Sequence, residues 1–199
     1  MSEIDMAALI PYVFITTFTP GPNNVSSAAM AAKFGLRRTW SYTLGIASGV
    51  FLLMILGGSL SGFLMELVPK LEGTMKWIGA AYIVWLAWGL VREVPHEGGS
   101  SGGEGGFFKG MALQCVNVKV MIYCLTLYSV FLRPLLARPL PVLMSALFLA
   151  VVCFSSVVLW ALFGVGIESF LGSPGRRRAL NYFFAAMLVM TALQVAELI

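Results

Sequence analysis

The chain has 199 residues, of which 59% are hydrophobic and 11% charged, with a mean hydropathy of +0.88. Soluble domains run near 45–50% apolar and about 25% charged, so this composition excludes a soluble globular domain. The formal net charge of +4 raises nucleic acid as a partner. The basic residues, however, sit in short loops flanking apolar runs, as the positive-inside rule requires, so no nucleic acid is expected and membrane lipid is. The length accommodates six spans of about 20 residues with short connections and no separate soluble domain. Met1-Ser2-Glu3-Ile4-Asp5 has no basic side chain and no small-residue cleavage site follows, so no cleaved signal peptide is expected.

The first span, residues 6–32, is interrupted at Thr19-Pro20-Gly21-Pro22-Asn23-Asn24. Two prolines around a glycine remove backbone donors and clash with the preceding turn, so the helix cannot run through. In lipid, the backbone groups freed by a break persist only where protein or a water-filled cavity satisfies them. A broken span with amide side chains at the break is how many transporters build a site near the bilayer midplane. Lys33, Arg37 and Arg38 close this span. The second, 40–65, carries Gly45-x-x-x-Gly49 and Gly58-x-x-x-Gly62, spacings that let helices approach closely in lipid. The third, 74–91, carries Trp77, Tyr82, Trp85 and Trp88, which fit interface anchors or a packed aromatic face.

Residues 93–106, EVPHEGGSSGGEGG, read as a flexible polar linker without chemistry, dividing a first half (1–92) from a second (107–199). The fourth span, 107–132, contains Gln114, Asn117 and Lys119 and ends at Arg133-Pro134. The fifth, 140–166, has Ser155 and Ser156 near its middle, expected to bond back to their own helix carbonyls. A turn at 172–175 and the basic run Arg176-Arg177-Arg178 precede the sixth span, 179–198. Trp77-Ile78-Gly79-Ala80-Ala81-Tyr82-Ile83-Val84 weakly echoes Tyr182-Phe183-Phe184-Ala185-Ala186-Met187-Leu188-Val189. The expected fold is an all-α integral membrane protein of six transmembrane helices, arranged as two three-helix inverted repeats. Lys33, Arg37, Arg38, Arg92, Lys109 and Arg176 to Arg178 stand against Lys70, Lys76, Arg133 and Arg138 on the other side. That bias puts the odd-numbered loops in the cytoplasm and both termini outside.

Lys119 is the one charge out of place. It lies about ten residues into its span, roughly 15 Å of helix, where a charge costs at least about 2.5–3.5 kcal/mol on insertion scales. No Asp or Glu is deep in any span. Its candidate partners are Asn117, the backbone and side chains around Asn23 and Asn24, water, or the carboxylate of a bound ligand. A lysine merely bonded to carbonyls of the broken first helix is the plain alternative; exchange of a proton during transport is the functional one. Asn23, Asn24, Gln114 and Asn117 offer both donors and acceptors, and their plain alternative is interhelical glue worth around 0.6–2 kcal/mol per contact. Cys115, Cys124 and Cys153 form no C-x-x-C pair and read as small buried hydrophobes. The single histidine, His96, has no clustered ligands, so neither a metal nor another cofactor is expected.

TPGPNN in the first span, the glycine-rich second span and Asn-x-Lys in the fourth resemble the LysE/RhtB family of bacterial amino-acid exporters, over essentially the whole chain. The usual fourth-span motif there is Asn-Pro-Lys; here it is Asn117-Val118-Lys119, so a second proline break is missing. IGAAYIVWLAW (78–88) with Leu113-Gln114 and VNVK (116–119) looks most like the cysteine/O-acetylserine exporter branch, which also carries Val in the motif. The resemblance implies no enzyme. It implies efflux of small neutral amino acids across the bacterial inner membrane, driven by the proton gradient, with a homodimer compatible. Pro20, Gly21, Pro22, Asn23, Asn24, Gln114, Asn117 and Lys119 would form the substrate site. Lys119 and the amides after Gly21 would face the carboxylate, and carbonyls left free by Pro20 and Pro22, or the Asn side chains, would face the ammonium. The absence of a deep carboxylate argues against lysine or arginine as substrate. Threonine, homoserine or leucine export remains an alternative. So does a non-transporting assembly protein whose broken helix is only structural. A thiol electron relay lacks the cysteine pairing it would need.

Overall fold

Apolar periodicity with prolines and glycines at the interruptions produces helices and nothing else among the described residues. A computed structural model describes residues 4–91, 104–169 and 174–198. It has helices α1 (Met6–Phe18), α2 (Pro22–Phe34), α3 (Leu36–Ser59), α4 (Ser61–Val91), α5 (Glu104–Val116), α6 (Val118–Thr126), α7 (Pro139–Ser169) and α8 (Pro174–Val195). A π-helical turn, Leu127–Phe131, and a 3₁₀ turn, Arg133–Leu135, follow α6. Four helical stretches are long and apolar enough to cross a membrane: Leu36–Ser59, Gly73–Val91, Pro139–Ser169 and Arg178–Val195. A fifth is added if Gly106–Val116 and Val118–Phe131, bent by 63° at Asn117, count as one span.

The expected first span divides into an apolar α1 of 13 residues and an α2 of small and polar residues, PNNVSSAAMAAKF. α2 does not need to be lipophilic, because protein rather than lipid surrounds it: Pro22 to Ala29 are all buried. Of the expected linker, residues 93–103 lie outside the described residues, while Glu104 to Gly106 form the first turn of α5. The turn expected at 172–175 lies outside them up to residue 173, and α8 starts at Pro174, the first helical position that tolerates a missing N–H.

Packing follows the small residues. α3 lies against α5 and α7, α2 against α7 and α8, and α4 against α8. At Gly45 any Cβ would overlap the Phe107 carbonyl, and at Gly49 it would overlap the Gln114 side chain, so the first Gly-x-x-x-Gly is the seam on which α5 sits. The exposed apolar side chains, Trp77, Trp85 and Trp88 on α4 and Leu143, Leu147 and Val151 on α7 among them, form the face a bilayer would cover.

Two apolar clusters result. One gathers Leu9 and Val13 of α1 with residues of α3, α6 and α7; the other gathers Val25, Ala28 and Ala29 of α2 with residues of α4, α5 and α8. Each broken helix has one half in each cluster, and the polar residues lie at the two crossings.

The second crossing corrects an expectation. No proline stands at 118, yet the helix breaks at Asn117, whose φ of −85° and ψ of 88° leave the helical region. Its side chain accepts from the Val120 amide, so an N-cap replaces the proline in ending one helix and starting the next.

Candidate functional site

An α-helix ends with four carbonyls that no intrahelical amide reaches, and at the membrane midplane each needs a partner. At the end of α1, Ile15 receives the Thr19 amide at 3.1 Å and Thr16 the Thr19 hydroxyl at 3.3 Å. The Thr17 carbonyl receives Asn24 Nδ2 at 2.8 Å and Ser156 Oγ at 2.9 Å. Phe18 receives Trp160 Nε1 at 3.1 Å, Thr19 receives Asn24 Nδ2 at 2.9 Å, and Pro20 receives Lys119 Nζ at 3.4 Å. The carbonyls expected to be free for an ammonium group are therefore already engaged. Ser155 bonds back to Val151 as expected, whereas Ser156 reaches across to the break and also donates to Asn24 Oδ1 at 3.2 Å.

The two breaks are held together by side-chain amides. Asn23 Nδ2 donates to Gln114 Oε1 at 3.0 Å, and Gln114 Nε2 donates back to Asn23 Oδ1 at 2.9 Å. Asn117 Nδ2 donates to the same Asn23 oxygen at 2.9 Å, and Gln114 Nε2 also reaches the Gly110 carbonyl at 3.1 Å. Asn23, Gln114 and Asn117 are 8%, 1% and 2% exposed, so this cluster is closed. Among the described residues no buried side-chain nitrogen or oxygen lacks a partner.

Lys119, on the first turn of α6, points back at the first break. Its ammonium donates to Thr19 Oγ1 at 3.1 Å and to the Pro20 carbonyl, both neutral acceptors. Gly21 is extended, with φ −175° and ψ 177°, and caps α2, whose first turn carries no acidic residue. The positive end of the α2 dipole and the Lys119 ammonium thus meet at one place.

Space is available on both sides of Lys119. A cavity of about 40 Å³, lined by Thr16, Thr17, Asn23, Asn24, Asn117, Tyr123 and Cys153 among others, lies within the bundle. A pocket of about 240 Å³ lies on the other side, between the break, α6 and the end of α8. Gly21, Pro22 and Lys119 border both. At about 10–15 Å³ per water the inner cavity suits a few waters, whereas the outer pocket has room for a small organic molecule.

Of the residues expected at the site, Pro20, Gly21, Pro22 and Lys119 line the outer pocket, and Asn23, Asn24 and Asn117 line the inner cavity. Gln114 lines neither and is tied to Asn23. Ser156 and Trp160, which the sequence reading did not place here, stand four residues apart on one face of α7. That spacing was the available signal, and their target carbonyls were not visible. Tyr82 donates to the Lys109 carbonyl at 2.9 Å and Trp85 is exposed, a structural use of both. Cys124 and Cys153 are buried as expected, but Cys115 is exposed on α5 and is not a core residue.

A helical bundle with an apolar outer face, two helix breaks stitched together by buried side-chain amides and a lysine beside an open pocket has the construction of a small-molecule translocator. The chain belongs to the LysE type translocator family, whose profile matches residues 14–197, so it is a transporter and not an enzyme. It is 34% identical over 195 residues to the cysteine/O-acetylserine efflux protein of Klebsiella pneumoniae, covering 98% of each chain. It is 33% identical to the proteins of the same name in Escherichia coli K12 and Shigella flexneri, covering 98% of this chain and 99% of each relative. No solved structure matches it.

Proposed function

We propose that the protein exports small neutral amino acids and their metabolites, cysteine and O-acetylserine first among them, from the cytoplasm across the bacterial inner membrane, in exchange for protons. One observation carries the reading. Lys119 is a cation on a broken helix, its bonded partners are neutral, and it borders a pocket large enough for an amino acid. A lysine so placed meets the carboxylate of a ligand at less cost than it remains alone. The names of the relatives supply the substrate class, and the family supplies transport. Threonine, homoserine and leucine are the alternative substrates.

Within this reading the expected residues divide the work. Lys119 and the backbone at Pro20, Gly21 and Pro22 contact the substrate. Asn23, Asn24, Gln114 and Asn117 keep the two breaks in register, and they reach the substrate only as the breaks move apart. Six transmembrane helices in two inverted repeats are supported by the order of elements: a broken helix and two long ones occur twice. The contacts of α3 with α7 and of α4 with α8, like with like, agree with it. So do Ala80 and Ala185, equivalent in the internal echo and buried in the same cluster. The charge bias supports termini on the outer side. The site lies within one chain, so a homodimer would not be needed to complete it.

The test is efflux of labelled cysteine and O-acetylserine from loaded cells, with and without Lys119→Ala at matched membrane expression. Loss in the variant is expected. Wild-type efflux equal to that of cells lacking the protein would rule out these substrates.

A further inference from the structure

The chain after α8 turns in an unusual way. Glu197 N donates to the Gln194 carbonyl at 3.1 Å and Leu198 N to the Leu193 carbonyl at 3.0 Å, the paired bonds of a Schellman cap. The residue in the left-handed position of that cap is usually glycine; here it is Glu197, with φ 55°. Among the described residues it is the one non-glycine with positive φ. A side chain held against the local backbone preference points to a use for that side chain. Its carboxylate accepts from Lys76 of α4 at 2.5 Å, across the mouth of the outer pocket. With Glu197 64% exposed, the pair adds little to stability, so holding the bundle together does not explain it.

The same pocket has Lys119 and Gly21 in its wall, and among the described residues Glu197 is the one side-chain carboxylate lining it. An amino acid entering it brings a carboxylate and an ammonium group. Lys119 answers the first. The carbonyls at the break cannot readily answer the second, since Asn24, Ser156, Trp160 and Lys119 already occupy them.

We infer that the outer pocket is a zwitterion site, in which Lys119 takes the carboxylate and Glu197 the ammonium of an α-amino acid, while Lys76 holds Glu197 until substrate displaces it. The inference rests on the exporter reading and deepens it. A molecule without the ammonium leaves Glu197 on Lys76 and gains only one contact; a molecule without the carboxylate leaves Lys119 unmatched. Selection is therefore for both charges rather than for the side chain. Competition by Lys76 keeps binding weak enough for release.

The test is binding of labelled O-acetylserine to purified full-length protein, with N-acetylserine, which lacks the ammonium, as competitor. Efflux by the same variants is measured in parallel, after membrane levels and elution profiles are matched. Glu197→Gln should weaken O-acetylserine binding at least tenfold and erase the discrimination against N-acetylserine. Lys76→Gln should tighten binding, because it frees Glu197. Equal weakening by both variants, with recovery in the exchanged pair Lys76→Glu/Glu197→Lys, would show an ordinary structural ion pair and overturn the proposal. Binding that neither variant changes would overturn it as well. Binding with the expected opposite shifts but without efflux would keep the pocket and remove the exporter reading. Neither binding nor efflux by the wild type would remove both.

Discussion

Gly21 and Lys119 fit against each other: a methyl group on Gly21 would lie 3.0 Å from Lys119 Nζ and 3.2 Å from its Cδ. The backbone of Gly21 is extended, a conformation open to any residue, so a side chain here is opposed by the Lys119 side chain and not by φ. Lys119 is long and flexible and can move aside. Gly21→Ala should therefore cost about 1 kcal/mol or less in stability while displacing the ammonium from Thr19 and Pro20. Membrane level and thermal stability near wild type, with efflux reduced severalfold, is the expected pattern. Undiminished efflux would show that the ammonium need not sit against the break.

The reciprocal bonds between Asn23 and Gln114 join the first half of the chain to the second. Replacing Gln114 by Leu leaves Asn23 with buried groups short of partners, a loss of about 1–3 kcal/mol. The double variant Asn23→Leu/Gln114→Leu should be less destabilised than the sum of the two single ones, since the groups that Asn23 and Gln114 leave on each other vanish together, while the Asn117 amide loses its acceptor whenever Asn23 is replaced. Thermal denaturation in detergent of the four proteins measures this. Additive losses would show that the two amides act independently.

Much of this arrangement is legible in the sequence because prolines and charges have few interpretations in a membrane. Pro20 and Pro22 on either side of Gly21 stop a helix where the lone Pro11 inside α1 does not, and a lysine ten residues into an apolar run needs a reason. Asn117 was legible as polar but not as a break, because its role depends on a side-chain bond to the Val120 amide that competes with helix continuation. Ser156 and Trp160 have nothing in their neighbourhood to reveal that they serve carbonyls on α1, more than 130 residues earlier. Glu197 reads as an ordinary polar residue after a last helix; only its φ and its partner on α4 distinguish it.

The break at Asn117 makes a prediction about the proline that is not there. Val118 occupies the first helical position of α6, where a missing N–H is tolerated. Asn117, with ψ 88°, already lies outside the helical region that a residue before proline avoids. Val118→Pro should fold with a change of about 1 kcal/mol or less and keep efflux. Asn117→Ala, which removes both the cap and the bond to Asn23, should cost about 0.5–2 kcal/mol for the cap alone and lose efflux. Val118→Pro losing more stability than Asn117→Ala would contradict the cap as the cause of the break.

In the proposed exchange for protons, Lys119 is the candidate proton carrier. Its ammonium is half-buried, bonded only to neutral oxygens, and placed between the inner cavity and the outer pocket. In the proposed exchange, a group there would hand a proton to either side. Arginine keeps its charge at every working pH and reaches the same distance with a different geometry. Lys119→Arg should insert normally and bind substrate through its charge, but its efflux should no longer vary with the pH difference across the membrane, whereas wild-type efflux should. Efflux measured at several external pH values, at fixed internal substrate, distinguishes the two. A Lys119→Arg protein with the wild-type pH dependence would remove Lys119 from the proton path and leave it the carboxylate contact alone.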